Sequence, residues 1–271
     1  MTKLLRNSLL LSLAVCVCSY AQELSVPSYR ADQTDFDALQ DGISSALSVE
    51  KDLFAHGVGS TGIVLYDSEN LFIYSRHNDL SLPKRGAWRE YTIYQIPHNS
   101  AVSERAMARC AGGEDFVWEI LSGKVPAPYF TCSPWTIQKE IQRRRRSIYD
   151  TRESYLATVV HEYGHVYMSQ ELWQIPIVQK MIPRVQSLQS RASRESILME
   201  AYAIWCELQA SKKLFPSHYG KLKNMYVPGD DERHNLGLKV ARDLMDEAHP
   251  AAVSPTILQL LQTTEINRLF R

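Results

Sequence analysis

His161-Glu162-Tyr163-Gly164-His165 is the stretch of this sequence that most strongly constrains its fold and chemistry. The two histidines lie four positions apart, and on an α-helix this spacing puts both rings on one face, one turn apart. Both rings can then reach the same metal ion. Glu162 points slightly aside, where a carboxylate can act as a base toward water. The pattern therefore predicts a metal site with His161 and His165 as ligands.

The residues around this motif predict the helix that it requires. Asp150, with Glu153 three positions later, is typical of a helix N-cap and its reciprocal partner. Apolar residues then recur at helical spacing and are expected to face the core. These residues are Leu156, Val159, Val160, Tyr163 and Tyr167. The alternative is that the two histidines only line a core, with satisfied hydrogen bonds.

A third ligand is needed, because a catalytic zinc site usually has three protein ligands and one open position. Glu200 is the leading candidate, since it lies in an apolar helical run over residues 197–205. A carboxylate in such a run is costly to bury without a cation or hydrogen bonds. Glu171, Glu195 and Glu207 are the alternatives. Without a metal, Glu200 would pair with an arginine or lie exposed at a helix edge.

The H-E-x-x-H motif resembles that of the zincin metallopeptidases. In the metzincin branch the motif continues to a glycine and a third histidine, but Met168 and Glu171 occupy those positions here. In the gluzincin branch a glutamate on a second helix completes the site. The set of His161, His165 and Glu200 is therefore similar to a gluzincin ligand set.

This resemblance implies a zinc-dependent peptidase in which Glu162 is the general base toward a zinc-activated water. Thermolysin-like enzymes also carry an aspartate four residues after the ligand glutamate, which orients a ligand histidine. That position is Ile204 here, and Glu207, one turn further, is the candidate for the role. A second donor toward the oxyanion is usual in such sites. The candidates for this donor are Tyr202, His218, Tyr219, Tyr226 and His234.

The expected partner is a peptide or protein substrate, extended along a strand edge formed by residues 91–96 or 129–132. Two other readings stay open. One is a non-catalytic binding protein on a zincin scaffold. The other is a zinc amidase that acts on a non-peptide bond, such as a cell-wall bond.

Residues 1–21 have the features of a secretory signal peptide. Lys3 and Arg6 precede a short apolar core over residues 9–17, and cleavage is predicted near Ala21. The expected location is therefore secreted or periplasmic, with no stable membrane insertion. A lipoprotein is the alternative, because Cys16 and Cys18 lie near the end of this segment.

Composition narrows the class of protein further. Lysine plus arginine and aspartate plus glutamate both number 30 in the 271 residues, so nothing indicates a nucleic-acid partner. A hydrophobic share of 45% is typical of a globular protein. Three cysteines follow residue 21. Cys110 and Cys132 are the expected disulfide in an oxidising compartment, and Cys206 is expected to pack as a small buried side chain.

The order of elements predicts an α+β fold of zincin type, with strands first and helices later. Residues 22–271 would form one domain with a sheet-bearing lobe (about 22–149), a helical lobe (about 150–271) and the metal site between them. The predicted strands are at 62–66, 71–74, 91–96, 116–121 and 129–132. The predicted helices are at 33–56, 151–171, 193–214, 232–247 and 255–270.

Four consecutive arginines, Arg143, Arg144, Arg145 and Arg146, precede the motif helix. A solvated helix end or loop is the plain interpretation. The alternatives are a proteolytic nicking site and a patch that binds an anion or an acidic substrate.

Overall fold

The structure is a computed structural model that describes residues 29–54, 61–97, 129–171, 194–224 and 232–248, with 252–253, 255–257 and 259 near the end. Its elements are α1 (Gln33–Leu53), β1 (Gly62–Tyr66), β2 (Asn70–Ser75), β3 (Lys84–Trp88), β4 (Tyr91–Pro97), β5 (Tyr129–Cys132), α2 (Trp135–Arg144), α3 (Arg152–Glu171), α4 (Arg194–Leu214), α5 (Pro216–Asn224) and α6 (Glu232–Val240). A π-helical turn, Ala241–Met245, continues α6. The predicted α+β class is confirmed.

The sheet has five strands in the order β3-β4-β2-β1-β5. β1 and β2 form the predicted hairpin, and β5 joins β1 in parallel, with Ile63 opposite Phe130. β4 is paired on both sides, by β2 and β3, so residues 91–96 offer no open edge to a substrate. The prediction that a substrate could pair there is wrong. Among the described strands, β5 is paired with β1 only.

Most elements lie where the sequence predicts them, and three were missed. The helix predicted over 33–56 is α1, which ends at Leu53, and the helices predicted at 151–171 and 193–214 are α3 and α4. The missed elements are β3, α2 and α5. β3 was missed because it is an exposed edge strand, whose residues do not alternate between apolar and polar. The strand predicted at 116–121 lies outside the described residues, as does most of the helix predicted at 255–270.

α3 lies at the centre of the molecule and contacts α1, α2, α4 and β5. The approach of α1 is close: a methyl group added at Gly42 would lie 2.6 Å from a γ-carbon of Val159. The main hydrophobic core runs from Phe36 in α1 to Ile257 and includes residues from the sheet and from every long helix, and a smaller cluster is formed by other sheet residues. The two predicted lobes therefore share one core.

The start of α3 differs in detail from the prediction. Thr151 and Ser154 cap it reciprocally: Ser154 N donates to Thr151 Oγ1 at 3.2 Å, and Thr151 N donates to Ser154 Oγ at 3.1 Å. Asp150 and Glu153 were expected in these roles, so the predicted capping pair is displaced by one residue. The reason is that Thr151 and Ser154 have the same three-residue spacing as Asp150 and Glu153, and their hydroxyls can form the same reciprocal bonds.

The arginine run forms the end of α2. Arg143 and Arg144 pair with Glu140, at 2.6 and 2.8 Å. Arg146 has a φ of 53°, and the bonds from Arg146 N to Arg143 O and from Ser147 N to Gln142 O complete a Schellman motif. The structure therefore favours the interpretation of a solvated helix end. Among the described helices, none has both the length and the apolar character needed to cross a membrane.

Candidate metal centre

Three predicted ligands meet between α3 and α4. The Nε2 atoms of His161 and His165 are 3.1 Å apart. Oε2 of Glu200 lies 3.5 Å from the first and 3.6 Å from the second. A tetrahedral zinc with bonds of about 2.0–2.1 Å holds its ligand atoms roughly 3.3 Å apart, close to the sides of this triangle.

Close helix packing brings Glu200 to the two histidines. A methyl group added at Gly164 would lie 3.0 Å from Ala203 Cα and 3.1 Å from Cys206 Sγ, so α3 and α4 touch at their backbones. A methyl group added at Gly237, on α6, would lie 2.7 Å from Glu200 Cβ. Small residues on two sides of α4 therefore set the position of the glutamate.

His161 uses its second nitrogen to contact another glutamate. Its Nδ1 lies 3.2 Å from Oε2 of Glu207, and Oε1 of Glu207 lies 2.9 Å from Nε2 of His218. A carboxylate at Nδ1 favours the tautomer whose Nε2 lone pair is available to a metal. Glu207, named from the sequence as a candidate to orient a ligand histidine, lies where that role requires. It does not face the ligand triangle.

The electrostatic environment of the metal centre favours a positive charge there, carried by a proton or by a metal cation. Burial lowers the pKa of His161, but the carboxylates of Glu200 and Glu207 together have the larger effect and raise this pKa well above its usual value. Burial raises the pKa of Glu200, but its two histidine partners outweigh this effect and hold the pKa far below its usual range. Burial lowers the pKa of His165 below its usual value, despite the opposing effect of Glu200, which favours the neutral ring that binds metals.

Glu162 lies beside the ligand triangle and is also buried, with 5% of its surface exposed. Burial raises the pKa of its carboxyl group to about 8; the ring of His161 opposes this rise, and the charges of Glu200 and Glu207 add to it. A carboxylate with a raised pKa is a stronger proton acceptor than an exposed one. The arrangement therefore suits Glu162 to general-base chemistry.

Of the four candidate oxyanion donors that the structure describes, His234 is the one whose ring lies beside a motif histidine. It is half-buried, and its ring centroid is 5.8 Å from that of His161. The hydroxyl of Tyr149 lies 3.4 Å from its Nε2. Tyr149 was missed in the sequence, because an isolated tyrosine between the arginine run and the helix carries no spacing signal.

The other candidate donors have different surroundings. Tyr202 stacks on Tyr167 within the core. His218 bonds Glu207, and Tyr219 donates to Asp246 at 3.1 Å. Tyr226 lies outside the described residues.

The residues present fit a zinc ion by their chemistry as well as by their spacing. Two imidazole nitrogens and one carboxylate oxygen form a donor set that zinc accepts in catalytic sites. Oε2 of Glu200 is fully buried and faces the two histidine rings at 3.5 and 3.6 Å, beyond the length of a good hydrogen bond. A buried carboxylate oxygen without a close partner is costly, and a cation at the centre of the triangle would compensate it. Glu200 is 1% exposed, so the alternative of an exposed glutamate is wrong.

Several sequence predictions concern residues that are not part of the metal centre. The side chains of Glu171 and Glu195 are outside the described residues, as are Cys110 and residues 1–21. The disulfide and the signal peptide therefore stay predictions. Cys206 is fully buried where α4 meets Gly164, as expected of a small packed side chain.

Comparisons with known proteins identified no relative of this chain. No protein-family model matches the chain, and no curated protein or solved structure matches it.

Proposed function

We propose that this protein is a secreted zinc-dependent peptidase of gluzincin type, with His161, His165 and Glu200 as zinc ligands and Glu162 as general base. One observation carries the proposal: the three ligand atoms form a buried triangle with sides of 3.1, 3.5 and 3.6 Å. Two independent features support the proposal. The spacing of the H-E-x-x-H motif alone predicts two histidine ligands, and the third ligand, Glu200, comes from a separate helix.

Zinc, when bound, supplies a Lewis acid that polarises a carbonyl group and lowers the pKa of water toward 7. Glu162 takes a proton from the attacking water and returns it to the leaving amine. His234 donates to the carbonyl oxygen as negative charge develops there, held in orientation by Tyr149. Glu207 keeps the His161 ring in the tautomer that can bind the metal.

The substrate would lie along β5. Phe130 of β5 packs edge-on against Tyr163, with ring centroids 4.9 Å apart, so this strand packs on the motif helix at the face opposite to His161 and His165. A peptide paired with β5 would extend the sheet and present its backbone next to α3. The interior position of β4 leaves β5 as the better of the two predicted strands.

The deciding experiment measures zinc per mole of purified protein for the wild type, Glu200→Ala and Glu153→Ala. Glu153 is an exposed glutamate on the same helix as the histidines and serves as the matched control. We expect about one zinc in the wild type and in the control, and much less in Glu200→Ala. No zinc in the wild type after reconstitution would refute the proposal.

Substrate class is tested next with the zinc-loaded protein on casein, short peptides and peptidoglycan. Hydrolysis of casein or peptides, abolished by a chelator and restored by zinc, is the expected result. Cleavage of peptidoglycan alone would favour the amidase. Zinc binding with no hydrolysis of any substrate would favour a binding protein.

A further inference from the structure

Glu207 is bonded by histidines from two different helices. Its Oε2 lies 3.2 Å from Nδ1 of His161 in α3, and its Oε1 lies 2.9 Å from Nε2 of His218 in α5. We propose that His218 is a positioning residue of the metal centre, which acts through Glu207 on the orientation of His161. This inference rests on the proposed zinc site and assigns it a residue that touches neither the metal nor a substrate.

The chemistry of the three groups sets the direction of both bonds. An ionised carboxylate can only accept, so each histidine must donate a proton to it. In the neutral ring, the form that binds a metal, the donation from Nδ1 leaves the lone pair of His161 on Nε2, which faces Glu200 and His165. Because His218 occupies the other oxygen of Glu207, the carboxylate cannot rotate away from His161 without breaking a second bond.

Burial makes both bonds costly to lose. His161, Glu207 and His218 are 3%, 1% and 2% exposed, so water does not readily replace a missing donor. Removal of the His218 donor would leave one oxygen of a buried carboxylate without a partner, which is strongly unfavourable. Glu207 would then turn or take up a proton, and either change weakens its hold on His161.

His218 directs its hydrogen bonding to Glu207 alone among the described residues. Its other ring nitrogen, Nδ1, is buried and has no hydrogen-bond partner there. The ring also approaches Tyr149 edge-on, with centroids 5.4 Å apart. The attachment of α5 to the core has separate anchors, since Leu222 is fully buried and Phe215 nearly so.

The test compares His218→Leu, His218→Gln and the control Leu222→Val. Leucine removes the donor and keeps an apolar side chain of moderate size, whereas the amide of glutamine can still donate to Glu207. The control loosens α5 without touching the carboxylate. Three quantities are measured on the full protein: the zinc dissociation constant by chelator competition, the visible spectrum of the cobalt-substituted protein and the melting temperature of the metal-free protein.

We expect His218→Leu to bind zinc about 10- to 100-fold more weakly, with a changed cobalt spectrum, because the orientation of a ligand histidine is lost. His218→Gln should recover most of the affinity and the wild-type spectrum. Leu222→Val should lower the melting temperature and leave zinc affinity unchanged.

Three results would overturn the inference. If His218→Leu keeps the zinc affinity and cobalt spectrum of the wild type, or if Leu222→Val loses as much affinity, His218 is only a structural residue. The proposed zinc site then stands. If the wild type itself binds neither zinc nor cobalt, the proposed function fails and this inference fails with it.

Discussion

The two ring nitrogens of His161 contact two different glutamates of one helix. Nε2 lies 3.5 Å from Oε2 of Glu200, and Nδ1 lies 3.2 Å from Oε2 of Glu207. The glutamates are seven positions apart, about two helical turns, so they lie on the same face of α4. A single ring thus connects the ligand glutamate with the glutamate that orients the ring.

Glu207→Gln should weaken zinc binding about 10- to 100-fold without removing it. The amide has one acceptor where the carboxylate has two, so either His161 or His218 loses its partner. Chelator competition gives the dissociation constant. A value equal to that of the wild type would mean that Glu207 does not orient His161.

Glu162→Gln should reduce peptide hydrolysis by about 10²- to 10⁴-fold and leave the zinc content unchanged. The amide keeps the shape of the side chain but cannot accept the proton of water. Turnover and metal content are measured on the same preparation. Glu153→Gln, an exposed change on the same helix, should behave as the wild type. Retained activity in Glu162→Gln would refute the role of Glu162 as general base.

His234→Ala should lower kcat by about 10²- to 10³-fold, with a much smaller change in KM, because its donor is needed when charge develops on the carbonyl oxygen. Tyr149→Phe should have a smaller effect of the same kind, since it removes only the hydroxyl that lies 3.4 Å from Nε2 of His234. Zinc loss in His234→Ala would instead assign His234 to metal binding, as its place near His161 and Glu207 also allows.

Gly164→Ala should destabilise the protein by about 1–3 kcal/mol and weaken zinc binding. The added methyl group would lie 3.0 Å from Ala203 Cα, so α4 must move and carry Glu200 with it. Gly220→Ala is the matched control, because that glycine is in α5 with no atom within 4 Å of the added group. The control should be stabilised by up to about 1 kcal/mol. Denaturant unfolding measures both.

Arg146→Gly should stabilise the protein by about 0.5–1 kcal/mol. The residue ends α2 with a φ of 53°, where an L side chain costs roughly 1–2 kcal/mol and glycine costs little beyond its larger unfolded-state entropy. Arg144→Gly, at the last helical residue of α2, should instead destabilise by about 0.5–1 kcal/mol, because the φ there is negative and glycine only adds unfolded-state entropy. A lower stability for Arg146→Gly would mean that the arginine side chain makes a stabilising contact.

Elements with strong local signals were predicted well. α1, α3 and α4 have helical periodicity over many turns, and the hairpin of β1 and β2 is marked by a polar turn. β3 and α5 were missed because they are short and partly exposed, so burial imposes little pattern on their residues. The capping pair of α3 was misplaced by one residue, since the carboxylates of Asp150 and Glu153 and the hydroxyls of Thr151 and Ser154 have the same three-residue spacing.

The sequence by itself determined the pairing of His161 with His165, because helical spacing is local and places both rings on one face whatever surrounds them. It also named Glu200, since a carboxylate in an apolar run requires compensation. Only the tertiary structure decided that Glu200 rather than Glu207 faces both histidines, and that His218 and His234 approach from other helices. These contacts depend on how closely α4 packs against α3 at Gly164 and against α6 at Gly237, and packing across distant segments leaves no periodic signal in the chain.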